Sequence, residues 1–238
     1  MANSYGPQSI VQDGLVFVAD AGNPFCYTSG SATAYDIAES KTITLVNGAA
    51  PAIQPFSNSW EFDGTDDYMT TSAGLDAQND RTIMFWIYPT DYDPNPSWNQ
   101  RIVHNYDGVK QYQIILSEAG NFKFGSANPA GQGYGFGMNF TNRPALDSWT
   151  HVACVLDGSP SVAASYKVYY SGSEQSGVSG TPGGVQAATN SFNIAAINFS
   201  TVDNGFFDGK LGCFYCYNRA LSQPEIFQNY EATKNRFQ

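Results

Sequence analysis

The sequence predicts an all-β fold, a sandwich or barrel of short strands with one short helix at the C terminus. Asx-Gly pairs punctuate the chain, and such pairs supply the positive φ angles that tight hairpin turns need. The pairs begin at Asp13, Asn47, Asp63, Asp107, Asp157, Asn204 and Asp208. Between them lie short runs rich in β-branched and aromatic residues, whereas helical periodicity occurs only near the C terminus.

The short β-rich runs between the turn pairs set the predicted strand positions. We predict strands at Leu15–Ala19, Thr42–Val46, Ser59–Phe62, Tyr68–Thr70, Thr82–Tyr88, Arg101–Asn105, Tyr112–Leu116, Asn121–Phe124, Trp149–Leu156, Tyr166–Tyr170, Phe192–Ile197 and Lys210–Tyr217. The runs Ile83–Tyr88 and His151–Leu156 are apolar on both faces. We therefore expect both to lie centrally, with the core on one side and a concave surface or packed loop on the other.

A helix is predicted over about residues 223–236. Ser222 can act as its N-cap and Glu225 as the capping-box partner. Apolar side chains recur on one side at helical spacing, at Ile226, Phe227, Tyr230 and Phe237. We therefore expect this side of the helix to pack across one end of the sandwich. No linker or repeat divides the chain, and Gly172–Thr189 is predicted to be a long loop. The prediction is a single domain over residues 1–238.

Composition excludes several classes of protein. The net charge is −10 and only 13% of residues are charged, which argues against nucleic-acid binding. No apolar run reaches the roughly 20 residues that span a bilayer. The first part of the chain lacks the basic start and apolar run of a secretory signal, so we expect synthesis in a reducing cytoplasm. The four cysteines are predicted to be buried free thiols.

Several segments, taken in order, resemble the laminin G-like, concanavalin A-like lectin/glucanase jelly rolls, in the version found in tailed-phage structural proteins. The matching segments are Asp13–Pro24, Phe62–Tyr68, Thr82–Pro89, Trp149–Val152 and Asp208–Ser222. The resemblance implies two packed antiparallel sheets, with the first and last strand regions side by side. It also implies binding rather than chemistry, and a place in the virion.

The resemblance further implies a calcium site. In this family a calcium ion commonly joins the first strand to the segment before the last strand. Asp20, Asp63 and Asp208 occupy matching positions, and Gly64 could lend a carbonyl oxygen. Oxygen atoms of this kind are what calcium prefers. The alternative is that these aspartates only form Asx turns.

Catalysis is not predicted. Glucanases on this fold use two carboxylates on one strand, in a pattern close to Glu-x-Asp-x-Glu. Here the nearest match is Glu61–Thr65, in which Thr65 replaces the second glutamate and Asp63 falls in a turn. The two histidines, His104 and His151, lie in predicted strands without an adjacent nucleophile, and we interpret both as structural.

Two aromatic-rich loops are the candidate contact sites. Aromatic faces can stack on sugar rings while neighbouring amides bind hydroxyls. The alternative is that the loops pack on neighbouring subunits or cover a sheet. The candidate residues are Tyr92 and Trp98 in the first loop, and Tyr134, Phe136 and Phe140 in the second.

Together these features predict a non-enzymatic structural protein of a phage virion, most simply an exterior capsid decoration or accessory protein. A glycan-binding adhesin of a tail fibre or capsid surface is the alternative, and a glycoside hydrolase is the second. The expected partners are other virion proteins and cell-surface glycans, without nucleic acid or membrane insertion. Homo-oligomers are compatible with the sequence.

Overall fold

The computed structural model describes residues 9–53, 58–72, 80–94, 99–106, 111–117, 119–127, 138–180, 182, 191–197 and 205–238. Within these residues the strands are β1 (Leu15–Ala19), β2 (Thr33–Tyr35), β3 (Thr42–Val46), β4 (Ala50–Ile53), β5 (Asn58–Asp63), β6 (Tyr68–Thr71), β7 (Arg81–Pro89), β8 (Gln100–Tyr106), β9 (Gln111–Leu116), β10 (Phe122–Ala127), β11 (Met138–Phe140), β12 (Thr150–Leu156), β13 (Tyr166–Tyr170), β14 (Ser173–Glu174), β15 (Phe192–Ile194) and β16 (Asp208–Tyr217). Helix α1 spans Gln223–Thr233 and runs into a 3-10 turn over Lys234–Arg236, and a second 3-10 turn covers Ala163–Ser165.

The strands form two antiparallel sheets. Sheet A has the order β14-β13-β12-β7-β16-β5-β4, and β1 also pairs with β16. Sheet B has the order β11-β10-β9-β8-β15-β6-β3-β2. The predicted two-sheet sandwich is therefore confirmed. So is the prediction that the first and last strands are neighbours, because Ala19 of β1 pairs with Phe214 of β16.

The core between the sheets is largely aromatic. Phe17 of sheet A meets Phe192 of sheet B edge to face, with ring centroids 5.3 Å apart. Tyr166 and Phe124 make a second contact of this kind between the sheets at 5.4 Å. All four rings are at most 2% exposed. Burying one such side chain contributes roughly 1.5–3 kcal/mol, so these contacts fix how the sheets face each other.

A second apolar cluster lies on the outer face of sheet A, under the C-terminal helix. Trp86 of β7 stacks on Phe237 at 4.9 Å, and its indole N–H donates to the Thr233 hydroxyl at 2.9 Å. This cover explains why β7 and β12 are apolar on both faces. We expected the helix at one end of the sandwich, and this prediction was wrong. The helix instead packs on the outer face of sheet A, where it buries the outward-facing apolar side chains of β7 and β12.

Other details of the predicted elements were partly right. Helix α1 and its 3-10 extension match the predicted span, but Phe227 is 49% exposed rather than packed on the sheet. The predicted Phe192–Ile197 strand ends at Ile194. All four cysteines are buried and free. Four strands were not predicted: β2, β4, β11 and β14, which are the outermost strands of the two sheets.

Candidate functional site

An acidic cleft opens where β5, β16 and the end of β7 meet. Its volume is about 440 Å³. Outward-facing polar side chains line it because Trp60 and Phe62 turn the other face of β5 into the core. The lining residues are Gly48, Ala50, Glu61, Phe62, Asp63, Asp67, Thr90, Asp208, Gly209 and Lys210. We call this site the acidic cleft.

Strand pairing brings two of the predicted site residues together. Asp208, the first residue of β16, pairs with Asp63, the last residue of β5. Gly64 follows at once, and its N–H donates to the Phe207 carbonyl at 3.1 Å. The Thr90 hydroxyl donates to the Asp208 carboxylate from the end of β7. The structure thus places Asp63, Gly64 and Asp208 at one point of the cleft.

The turn after β5 adds more carboxylates. The Asp63 carboxylate accepts the N–H groups of Thr65 at 2.8 Å and Asp66 at 3.2 Å, which is an Asx turn. Asp67 accepts the N–H of Gly48. One carboxylate oxygen each of Asp63, Asp66 and Asp67 lies within 4.8 Å of the others. This group could hold a metal ion, because three acidic oxygens converge on one point.

The carboxyl groups of Asp67 and Asp63 have pKa values that are shifted in opposite directions. Burial raises the pKa of Asp67, and the nearby charges of Asp63 and Asp66 raise it further against the opposing Gly48 hydrogen bond. For Asp63, burial alone would raise the pKa, but backbone N–H groups of the turn lower it overall. A cation bound here would remove the repulsion that makes ionised Asp67 unfavourable.

Asp20 does not belong to this site, which corrects our expectation of a metal bridge between Asp20 and Asp208. Because Ala19 pairs with Phe214, Asp20 lies beside Cys213, five residues along β16 from Asp208. Five strand residues extend about 16 Å, far more than one ion can span. Both oxygens of Asp20 instead accept hydrogen bonds from Arg236 at 2.8 Å.

A row of side chains continues from the cleft across the outer face of sheet A. Glu61 and Lys210 are paired in register and form an ion pair at 3.2 Å. The Lys210 ammonium lies 6.0 Å from the centroid of the Tyr88 ring. Tyr88 in turn lies 5.4 Å from Trp149, ring to ring. Both aromatic rings are half-buried, so part of each remains available to a ligand.

The predicted aromatic contact residues are not all on the surface. Phe140 has no exposed area, so it cannot make the contact we predicted; β11 turns Met138 and Phe140 inward to the core. Tyr92 is half-buried, its hydroxyl donates to the Pro144 carbonyl at 2.8 Å, and the Arg143 guanidinium covers its ring at 3.3 Å. Trp98, Tyr134 and Phe136 lie outside the described residues.

Several residues of the site were missed from the sequence, among them Asp66, Asp67, Thr90 and Lys210. The first two had a visible signal, since they follow Asp63 directly in the run Phe62–Tyr68. Adjacent aspartates after an Asx turn can fold back toward the first carboxylate. No signal in the sequence marked Thr90 and Lys210, because only the pairing of β16 with β7 and β5 brings them to the cleft.

The two-sheet fold is that of a lectin-like sandwich, and the family comparison agrees. A family described as the concanavalin A-like lectin/glucanases superfamily matches residues 63–227, more than half of the chain. The chain belongs to this superfamily. Among curated proteins, no sequence matches the chain significantly.

Solved structures share the fold at low sequence identity. Domain 4 of AbnA, a GH43 extracellular arabinanase from Geobacillus stearothermophilus solved with arabinotriose, is 19% identical; the match covers 91% of this chain and 98% of that chain, with a TM-score of 0.58. The receptor-binding domain of botulinum neurotoxin D is 10% identical over 93% of this chain and 53% of that chain, at 0.64. A Trypanosoma rangeli sialidase is 13% identical over 98% of this chain and 36% of that chain, at 0.62.

The helices give no sign of a membrane span. Across the described ranges, none combines the length and the apolar character that crossing a bilayer would require.

Proposed function

We propose that this protein is a non-enzymatic carbohydrate-binding protein whose acidic cleft contacts the sugar. The observation that carries the proposal is the mixture of polar groups in one exposed cleft of a lectin-like fold. Sugar hydroxyls both donate and accept hydrogen bonds. The carboxylates of Asp67 and Asp208 can accept, the Lys210 ammonium can donate, and the Thr90 hydroxyl can do either.

The half-buried rings beside the cleft support the same function. Tyr88 and Trp149 continue the row that begins at Glu61 and Lys210. Sugar rings have apolar C–H faces that gain from contact with an aromatic surface. A sugar held by its hydroxyls in the cleft would have this surface next to it.

Calcium is the cation we propose for the Asp63, Asp66 and Asp67 group. Their oxygen donors suit a hard cation, and two of the three residues are exposed to solvent from which an ion can enter. When bound, calcium would supply a positive charge to which sugar hydroxyls can coordinate. The protein residues orient the site: Gly48 fixes Asp67, and the Asx turn fixes Asp63.

The setting we propose is the surface of a tailed-phage particle, where the protein would act as a decoration or as an adhesin. This rests on the resemblance of the ordered sequence segments and on the low share of charged residues, 13%. Mass spectrometry of purified particles and antibody labelling in electron micrographs test it. Absence of the chain from intact particles would overturn this part of the proposal.

A glycoside hydrolase is the second candidate, and one observation favours it. Asp63 and Asp67 lie close together and their pKa values are shifted in opposite directions, which is how acid and nucleophile are separated in glycosidases. We favour binding without catalysis, because Asp63 is tied into an Asx turn and Glu61 is ion-paired with Lys210.

A glycan array with wild-type protein, in calcium and in chelator, tests the proposed function. We expect the wild-type protein to bind a glycan through the acidic cleft. Asp67→Asn should therefore weaken glycan binding about tenfold or more. Asp157→Asn is the matched control, since Asp157 pairs with Lys167 away from the cleft. Equal binding by wild type and Asp67→Asn would contradict the cleft as the site.

The same proteins distinguish binding from hydrolysis. Each is incubated with the oligosaccharides that it binds, and newly formed reducing ends are measured. We expect none from any variant. Release of reducing ends by wild type that is lost in Asp67→Asn would support the hydrolase instead.

A further inference from the structure

A second pocket adjoins the acidic cleft at the edge of sheet A. It lies between the turn that follows β1 and the outermost strand β4, and its volume is about 440 Å³. The lining residues are Ala21, Gly22, Pro24, Tyr27, Ser29, Gly30, Ala50 and Pro51. We call it the edge pocket. Ala50 lines both the edge pocket and the acidic cleft.

The chemistry of the edge pocket differs from that of the cleft. No charged side chain is among its lining residues, so it suits a neutral ligand. Its polar groups are hydroxyls and backbone, including Ser29 and Tyr27. The Tyr27 ring supplies an apolar surface of the kind that contacts sugar rings. Its volume falls within the range of about 300–1,000 Å³ typical of small-molecule sites.

Tyr27 is held in place before any ligand arrives. Its ring packs edge to face on buried Trp60 at 5.6 Å, and its hydroxyl accepts the N–H of Gly30 at 3.0 Å. Asn23 also accepts the N–H groups of Cys26 and Tyr27 at its carbonyl, at 2.9 and 3.1 Å. A preorganised ring spends less of the binding free energy on ordering.

The acidic cleft and the edge pocket meet at Ala50, whose side chain is small. Ala50 pairs in register with Glu61, so both side chains lie on the outer face of sheet A. The two strands are about 4.8 Å apart. Ala50 is exposed and carries only a methyl group, so it raises no barrier between the cleft and the edge pocket.

We infer that the acidic cleft and the edge pocket form one groove that binds a linear, neutral oligosaccharide, with one ring in each pocket and the chain passing over Ala50. This inference rests on the proposed function and adds the class of ligand: an internal or extended chain of at least three sugars rather than a single terminal sugar. The cleft supplies hydrogen bonds to hydroxyls, and Tyr27 supplies the ring contact at the far end.

The test is isothermal titration with linear oligosaccharides of one to six units prepared from arabinan, xylan and mixed-linkage β-glucan. For the ladder that binds, we expect affinity to rise at least tenfold between one and three units and then to level off. Ala50→Trp should abolish this gain by blocking the passage, so that its affinity no longer rises between one and three units.

Two further variants guard against indirect effects. Tyr27→Phe keeps the ring and removes the hydroxyl, so it should weaken only the longer oligosaccharides, by a few fold. Tyr35→Ala removes an aromatic ring that is 52% exposed and lines neither pocket, so it should bind as wild type does. Melting temperatures of all variants show whether each is folded.

The outcomes separate the two proposals. If wild type binds one sugar as tightly as six, or if Ala50→Trp keeps the full length dependence, the extended groove is wrong although carbohydrate binding stands. If wild type binds none of the ladders and no glycan on the array, the proposed function fails and the groove fails with it.

Discussion

Gly64 shows how a single residue sets the geometry of the acidic cleft. Its φ is +71°, in the region that only glycine enters easily. A Cβ atom there would lie 2.8 Å from the Cβ atoms of both Asp208 and Pro94. The backbone of the turn can therefore approach β16 closely enough for Asp63 and Asp208 to face each other.

We predict that Gly64→Ala lowers the free energy of unfolding by about 2–4 kcal/mol, because backbone strain of roughly 1–2 kcal/mol adds to a steric clash. Urea denaturation measures this. Gly120→Ala is the control, since Gly120 has φ +93° but nothing within 4 Å of an added Cβ. If both variants lose the same stability, the contact with Asp208 and Pro94 has no energetic role.

His151 is a residue whose protonation opposes folding. It lies between Trp86 at 5.3 Å and Tyr230 at 5.7 Å, and neither ring nitrogen has a hydrogen-bond partner among the described residues. Burial lowers its pKa from 6.5 to about 3. The folded state therefore binds this proton less readily than the unfolded state does.

We predict that His151 makes the protein lose stability as the pH falls from about 6.5 toward 3, by at most roughly 1.4 kcal/mol per pH unit. Above pH 6.5 the residue is neutral in both states and its contribution is constant. Denaturation curves at pH 7, 6, 5 and 4 for wild type and His151→Phe give the difference in the free energy of unfolding between the two proteins. The carboxylates titrate in both proteins, so their contribution cancels in this difference. A difference independent of pH would rule out this role.

Among the elements, the C-terminal helix depends on how it begins. The carboxylate of Glu225 accepts the N–H of Ser222 at 2.8 Å and its hydroxyl at 2.7 Å. It also accepts two hydrogen bonds from Arg219 at 2.6 and 3.2 Å. The Arg219 hydrogen bonds are the largest reason why the pKa of Glu225 falls to about 2. The start of α1 is thereby tied to the end of β16.

We predict that Glu225→Ala destabilises the protein by about 1–2 kcal/mol, because it removes a helix cap and its charged partner. Glu231→Ala is the control on the same helix: Glu231 forms a partly exposed i,i+3 pair with Lys234, so its loss should cost about 0.5 kcal/mol or less. Chemical denaturation compares the two. Equal losses would mean that the cap does not hold the helix on sheet A.

The edge strands are the elements that could not be predicted from the local sequence. Strands β2, β4, β11 and β14 were not predicted, and they are the outermost strands of their sheets. They are two to four residues long, and β4 contains Pro51. Their own propensity is weak, so they form because a stronger neighbour offers hydrogen bonds. The central strands carried enough apolar residues to be predicted from local sequence.

For the whole molecule, a bound cation would stabilise the sandwich, since it binds carboxylates that converge only in the folded state. Asp63 ends β5, and Asp66 and Asp67 follow in the turn that leads to β6. Asp67 also accepts a hydrogen bond from Gly48, in the turn that precedes β4. The ion would thus fix the conformation of the connection that runs from β5 of sheet A to β6 of sheet B.

We predict that calcium at about 100 times its Kd stabilises the protein by roughly 2.7 kcal/mol, and so raises Tm by about 5–11 °C. Thermal melts in millimolar calcium and in chelator measure the shift. Asp67→Asn should abolish most of it, and Asp157→Asn should leave it intact. An unchanged wild-type Tm at every calcium concentration would contradict the metal site.

The grouping of Asp63, Gly64 and Asp208 was inferred from the resemblance to a family, because Asp63 and Asp208 lie far apart in the chain and meet only through the pairing of β5 with β16. The sequence alone determined the all-β class, the central strands, and the C-terminal helix with its Ser222 and Glu225 start. These follow from local patterns, namely turns, alternation and caps, because each is fixed by residues close together in the chain. The single-domain organisation and the roles of Trp98, Tyr134 and Phe136 stay predictions.

Tertiary structure alone decided the remaining features of the site. Asp20 binds Arg236 and lies far from Asp208, because the pairing of β1 with β16 sets the position of Asp20 along β16. No local sequence pattern encodes that pairing. Phe140 went to the core because the facing of an edge strand depends on its partner. Lys210 and Ala50 joined the cleft through pairing with β5. Strand register is a long-range choice, made by the packing of the whole sandwich, and it decides which side chains meet.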